Sequence, residues 1–254
     1  MNILDKIVAA TRLRVEKEKK EGAPRINAGC RSPFLFEETL RRPGLHFICE
    51  VKKASPSKGV IAEEFPYLKI ATEYQTAGAD AISVLTEPDF FMGANRYLTE
   101  IRSAVDLPLL RKDFTIDPFQ INQAAGLGAD AILLICSLLP LKQLRGFIAL
   151  ADSLGLSSLV ETHDETEVKK ALDAGARVIG VNNRNLKTFS VDINNSVRLR
   201  KLAPDGVVFV AESGVANPGQ VELLRQNGVN AVLVGEALMR APDKKAALAK
   251  LRGI

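Results

Sequence analysis

Tryptophan is absent, histidine occurs twice, and cysteine occurs three times, at Cys30, Cys49 and Cys136. An odd cysteine count with no CxxC pair argues against a disulfide framework or a zinc site. It fits a reducing, cytoplasmic setting. His46 and His163 have no partner at metal-ligand spacing, so no metal is expected. Apolar runs such as Ala131–Cys136 fall far short of the about 20 residues that span a bilayer, so no membrane association is expected. The opening residues Met1–Lys6 carry no long apolar core with a small-residue cleavage site, so no targeting signal is expected. There is no GxxxxGK[ST] phosphate loop, and Gly126-Leu127-Gly128 lacks the third glycine of a dinucleotide fingerprint. Nor does one sign of charge dominate. The 34 Lys and Arg against 30 Asp and Glu leave +4, too little for a nucleic-acid surface but suited to an anionic small molecule.

What is present is an ordinary globular composition, 46% hydrophobic and 25% charged, which excludes a disordered or low-complexity chain. A length of 254 residues accommodates two small domains or one large α/β barrel. Eight short β-branched and apolar runs recur at His46–Val51, Asp80–Leu85, Leu107–Arg111, Asp130–Ile135, Ser157–Val160, Arg177–Val181, Val207–Ala211 and Asn230–Val234. They are apolar on both faces, as buried parallel strands are. Helix-length segments separate them. One opens at Asp117-Pro118 and stops at Gly126, another opens around His163–Val168 and ends at Ala174-Gly175, and a third runs from Asn217-Pro218 to Asn227-Gly228.

Glycines 78, 128, 175 and 228 each stand just before an even-numbered strand, at roughly 50-residue intervals, about two β-α units. A glycine there supplies the left-handed helix exit that returns the chain to the barrel floor. Eight units with this double-unit echo predict a single (β/α)₈ TIM barrel over residues 46–254. An open doubly wound sheet fits them less well. Residues 1–45 read as an N-terminal helical extension packed on the barrel, one domain overall. Ile3, Leu4, Ile7, Val8, Thr11 and Val15 share a helix face after an Asn2 cap. The charged run from Arg12 to Lys20 reads as the solvated outer face. Gly22 and Pro24 end this helix, and Pro33–Arg41 reads as a second short one.

Side chains alternate along a strand, so Ile48, Glu50 and Lys52 share a face. If Ile48 faces the barrel interior, Glu50 and Lys52 face its upper mouth. By the same parity Lys112 follows Leu110, Glu161 follows Leu159, Asn182 and Arg184 follow Gly180, and Glu212 follows Val210. A single charge after a strand is commonly the first loop residue in water. Six charges from five strands, three acids against three bases, are poorly explained that way, because buried charges are costly unless paired. Catalytic residues of barrels lie at these strand ends. A second cluster suggests phosphate: Ser213-Gly214 after the seventh strand and Gly235-Glu236 after the eighth, with a short helix at Ala237–Arg240 and help from Lys52 and Ser55. Phe90-Phe91 could pack on a neighbouring helix or line an aromatic pocket, and Cys49, opposite in parity to Glu50, reads as core.

Residues 50–59 (EVKKASPSKG) resemble the signature after the first strand of the indole-3-glycerol phosphate synthase family. Ser83–Glu87, Leu110–Phe114, Val160–His163, Gly180–Leu186 and Ala211–Gly214 are similar to that family's later motifs, in order. The resemblance covers essentially the whole chain, the helical extension included. It implies that 1-(2-carboxyphenylamino)-1-deoxyribulose 5-phosphate is closed to indole-3-glycerol phosphate with loss of CO₂ and water, without a cofactor, in tryptophan biosynthesis. It also implies roles. Lys112 would be the general acid at the carbonyl and Glu161 the base in dehydration. Lys52 would sit near the substrate carboxylate or the leaving hydroxyl, and Glu50 would orient it. Asn182, Arg184, Glu212 and Ser213 would position hydroxyls and the carboxylate. Ser55, Gly214, Gly235 and Glu236 would hold phosphate, and Phe91, Phe114, Leu133 and Leu186 the anilino ring. The expected partner is this phosphorylated small molecule, with the chain a monomer or weak homodimer. Rival readings are a related phosphosugar isomerase, a Schiff-base aldolase using Lys52 or Lys112, and a non-catalytic phosphate-binding barrel.

Overall fold

The computed structural model describes residues 3–22, 32–185 and 188–254. Asn2, Pro24, Cys30 and Leu186 therefore lie outside the described residues. Eight parallel strands, β1 (His46–Val51), β2 (Ala81–Leu85), β3 (Leu109–Lys112), β4 (Ala131–Ile135), β5 (Ser157–Thr162), β6 (Val178–Asn182), β7 (Val208–Glu212) and β8 (Ala231–Val234), form a closed barrel in sequence order, β1 pairing with both β2 and β8. All eight expected runs are strands. β3 starts two residues later than expected, because Leu107 and Pro108 precede the ladder. β5, β6 and β7 run on to Thr162, Asn182 and Glu212. The polar ends that sequence reading left in loops are thus still paired: Glu161 opposite Ile135 and Gly180, and Asn182 opposite Glu212.

Alternation divides the core in two. Phe47, Cys49, Val51, Ile82, Val84, Leu109, Ile132 and Leu134 point outward into the layer shared with the helices. Ile48, Ala81, Leu110, Leu133, Leu159, Val210 and Leu233 fill the interior. The helices Pro118–Gly126, Glu165–Asp173 and Pro218–Gln226 are capped by Asp117, Asp164 and Asn217. All four glycines of the repeat have φ between +72° and +87°, the left-handed turn that a side chain would strain. His163 precedes its helix, leaving the cap to Asp164, whose side chain accepts from the Glu167 N–H.

The N-terminal segment closes the barrel from both ends. Helix α1 (Ile3–Glu21) lies across the mouth and α2 (Leu35–Arg41) under the floor. Phe36 and Leu40 of α2 are fully buried and join the interior cluster, plugging the strand starts. The Glu37 backbone N–H donates to Ser157 Oγ, its carboxylate accepts from Arg177, and Arg41 donates to the Gly206 carbonyl. The charged face of α1 departs from expectation. Arg14 turns inward, its guanidinium 2.7 Å from Asp113 Oδ1, and Glu18 accepts from Gln123. Asp113 also accepts from Thr86 and faces the buried Arg111 guanidinium at 3.4 Å. Burial pushes the Asp113 carboxyl up, but Arg14 and Arg111 hold it below its usual value. An alternating charge run reads as solvated from sequence because the matching buried acid is about a hundred residues away.

Phe36→Ala should cost about 3–5 kcal/mol in chemical denaturation, since it opens a cavity in the barrel floor. Leu13→Ala, at a site 77% exposed, should shift stability by less than about 0.5 kcal/mol.

Candidate active site

The strand ends open into a cavity of about 440 Å³ beneath α1, a size usual for a small-molecule site. Glu50, Lys52, Lys112, Glu161, Asn182, Arg184 and Glu212 all line it. So do Ser55, Phe91, Phe114, Leu133, Ser213, Gly214, Gly235 and Glu236, which leaves only Leu186 of the expected set unplaced. Barrel closure turns every second strand residue inward, and at the top layer those residues are charged rather than apolar.

Lys112 is central. Its ammonium lies 3.4 Å from Glu161 Oε2 and 3.6 Å from Glu212 Oε2. Burial works to lower its pKa, yet the charges of Glu161, Glu212 and Glu50 outweigh this and hold it above the ordinary lysine value. Lys52 donates to Glu50. The two flanking carboxylates diverge. Burial pushes both up, but Glu161 is drawn below its usual range by Lys112, by His163 and by the Asn182 amide, which donates to Oε1 at 3.2 Å. Glu212 also feels the charges of Lys112 and His163, but its Oε1 is without a hydrogen-bond partner. Desolvation, opposed by Lys112 and aided by the other two carboxylates, raises it to about 7. One acid is thereby kept ionised and the other set to titrate near neutrality.

Two glycines make room for this cluster. A Cβ at Gly180 would collide with Glu212 Oε1, and one at Gly235 would collide with Glu50 Oε2. Sequence reading gave Gly235 a role through close approach to an anion, and the carboxylate beside it is the protein's own. Gly214 has φ +87° and Ser213 +66°, so the turn after β7 is left-handed at both residues.

The opposite wall is apolar. Phe91 ends the short helix Pro88–Phe91, whose first turn is capped by Glu87, and its ring centroid lies 6.0 Å from that of Phe114. Leu85, Leu133, Ile135 and Leu233 add apolar lining from the strands, and Ile3, Leu4 and Ile7 of α1 form the roof. Sequence analysis missed the α1 contribution, because amphipathic spacing marks a buried face without saying what it covers. It also missed the hairpin in the loop after β1, Ala54–Ser55 against Gly59–Val60, which brings Lys58 within 3.5 Å of Glu236 Oε1. A third omission is His163, whose Nε2 lies 3.3 Å from Glu161 Oε1. Cys49 and Cys136 are buried free thiols. Among the described residues no group of His, Cys, Asp and Glu is arranged to hold a metal, and no helix is long and apolar enough to cross a membrane.

The family model described as indole-3-glycerol phosphate synthase matches residues 4–251. An indole-3-glycerol phosphate synthase of Ruminiclostridium cellulolyticum is 56% identical, over 99% of each chain. One of Endomicrobium trichonymphae is 51% identical, over 98% of this chain and 99% of its own. Among solved structures, a 3-hexulose-6-phosphate synthase superposes with a TM-score of 0.68 at 17% identity, over 82% of this chain and 99% of that one, a likeness of fold. With its motifs in order around one cavity and these relatives matching end to end, the chain belongs to the indole-3-glycerol phosphate synthase family.

Proposed function

We propose that the cavity performs the family's reaction, the closure of 1-(2-carboxyphenylamino)-1-deoxyribulose 5-phosphate to indole-3-glycerol phosphate with release of CO₂ and water, a carboxy-lyase step of tryptophan biosynthesis. The observation that carries this reading is a charged lysine held between two unlike carboxylates against an aromatic wall. Ring closure forms a bond between the aromatic carbon bearing the carboxylate and the sugar-derived carbonyl carbon. The carbonyl oxygen gains negative charge as it forms, and Lys112 donates a proton to it. Loss of CO₂ returns the electron pair to the ring. The new hydroxyl then leaves as water while Glu161, kept ionised, accepts the proton whose loss completes the indole.

Lys52, oriented by Glu50, serves the substrate carboxylate or the departing hydroxyl. Asn182, Arg184, Glu212 and Ser213 position hydroxyls and the carboxylate. The phosphate is assigned to Ser55 and the backbone N–H groups of Gly214, Gly235 and Glu236. Phe91, Phe114 and Leu133 hold the anilino ring, with Leu186 assigned to the same wall on family resemblance alone. Under this reading the enzyme works in the cytoplasm as a monomer or weak homodimer, and residues 1–45 act as an extension of one barrel domain.

A Schiff-base aldolase working through Lys112 is disfavoured by that residue's raised pKa, since an amine nucleophile needs the opposite shift. Sugar isomerisation needs one acid and one base, and the two lysines and three glutamates exceed that. Lys112→Ala and Glu161→Gln should each lower turnover at least ~100-fold, the scale of losing a general acid or base, with folding intact. Indole fluorescence reports this without interference, the chain having no Trp. Full activity in both variants would overturn the assignment.

The site also sets a pH dependence of stability. Because folding raises the Glu212 pKa to about 7 from 4.5, the native state holds a proton that the unfolded chain releases. The resulting stabilisation is complete below pH 4.5 and disappears as pH rises through 7. Replacing Glu212 by Gln should therefore raise the melting temperature relative to the parent at pH 8, and the gap should close toward pH 4.5.

A further inference from the structure

His163 has no part in the steps above and does not line the cavity, yet it reaches Glu161 from the outer side of the strand end. It follows Glu161 by two residues, where the chain leaves β5. Its backbone N–H donates to Glu167 Oε2 at 2.8 Å, and its Nδ1 lies 3.0 Å from the same oxygen. Its carbonyl accepts from Asn195 Nδ2 at 3.1 Å. These contacts fix the ring so that Nε2 stands 3.3 Å from Glu161 Oε1. The imidazole is 18% exposed and Glu161 only 5%, so the ring lies between solvent and a buried carboxylate.

We propose that His163 is a positioning residue for Glu161: its imidazolium, anchored by Glu167, keeps the proton shared by the carboxylate cluster off Glu161 and on Glu212. This rests on the reading of Glu161 as the base. Lys112 lies at similar distances from both acids, 3.4 and 3.6 Å, and donates a hydrogen bond to Glu161, so it contributes to the preference that His163 reinforces. The neutral Asn182 amide donates to Glu161 Oε1 and His163 Nε2 faces the same oxygen, and of these two only His163 carries charge. The charged groups facing the pair from the barrel are Lys112, Glu50 and Lys52. Behind His163 stand Glu167 and Asp164, with Lys170 one turn further on, donating to the Cys136 carbonyl. Burial pushes the Cys136 thiol up to about 12, so it stays neutral. Burial alone would discharge the imidazole, but its contacts with Glu161 and Glu167 outweigh that and raise it to about 10, which keeps it cationic through the neutral range.

Glu161 and Glu212 titrate as a coupled pair, with one proton distributed between them. Removing the imidazolium raises the pair's affinity for that proton and lets it reach Glu161, so the loss of activity grows as pH falls. An opposite charge at this distance shifts a carboxylate by one unit or more. The ratio of His163→Asn to parent kcat/KM should therefore fall as the pH is lowered from 8.5 to 6. Glu167→Gln keeps an oxygen to accept the His163 N–H but drops the charge, and its ratio should fall in the same direction by less. A ratio for His163→Asn that is flat across pH would overturn the proposal, however large the loss, because damage to folding has no reason to follow proton uptake. A Glu167→Gln profile matching the parent's would overturn it as well. Glu161→Gln in the same assay separates the two levels: full turnover there removes the base itself, whatever the histidine variants do.

Discussion

The arrangement depends on holding an ammonium inside a barrel without letting it discharge. Lys112 is buried, and an isolated lysine there would lose its proton. Three carboxylates from β1, β5 and β7 prevent this. The same crowding forces Glu161 and Glu212 apart in pKa, since buried acids sharing one lysine cannot both ionise at little cost. Lys112, His163 and Asn182 hold Glu161 as the anion, and burial raises Glu212 toward neutrality. The cavity lining sets Glu50, Asp113, Glu161, Glu212 and Glu236 against Lys52, Lys58, Lys112, Arg184 and Arg240, and protonation of Glu212 tips this balance positive, which suits a ligand carrying both carboxylate and phosphate. Electrostatics thus supplies the acid, the base and the attraction for substrate from one cluster.

The rest of the molecule keeps that cluster dry and fixed. Below it, layers of Leu, Val, Ile and Ala fill the barrel, and Phe36 and Leu40 seal the floor. Above it, α1 is drawn onto the mouth by the Arg14–Asp113 pair, and Asp113 is the residue after Lys112. A buried ion pair is weak support for stability, because both partners must be desolvated. Its geometric effect is more direct: it ties the roof, with Ile3, Leu4 and Ile7 over the cavity, to the strand that carries the acid. The two helices of the N-terminal segment therefore perform separate tasks at opposite ends of one barrel.

Room is made for charge at the expense of side chains elsewhere. Gly180 and Gly235 lie on inward-facing positions where the barrel would ordinarily pack a methyl or larger group. Each leaves the space that a carboxylate of its neighbour occupies. Such sites are less stable than an apolar filling would be, as expected where selection acts on chemistry.

The sequence by itself determined the eight strands, the turns between them and the inward parity of Glu50, Lys112, Glu161 and Glu212. These follow from local periodicity, and closure of any such barrel sends those positions to one mouth. It also carried the family motifs, and with them the assignment of a phosphorylated aromatic substrate. What only the tertiary structure decided depends on distance between remote segments: that Arg14 faces a buried acid rather than water, that α1 roofs the cavity while α2 plugs the floor, and that His163 touches Glu161. The division of protons between Glu161 and Glu212 belongs to the same class. Their sequence contexts are alike, each a glutamate ending an apolar strand, and their difference is set by which neighbours the fold brings within hydrogen-bonding reach.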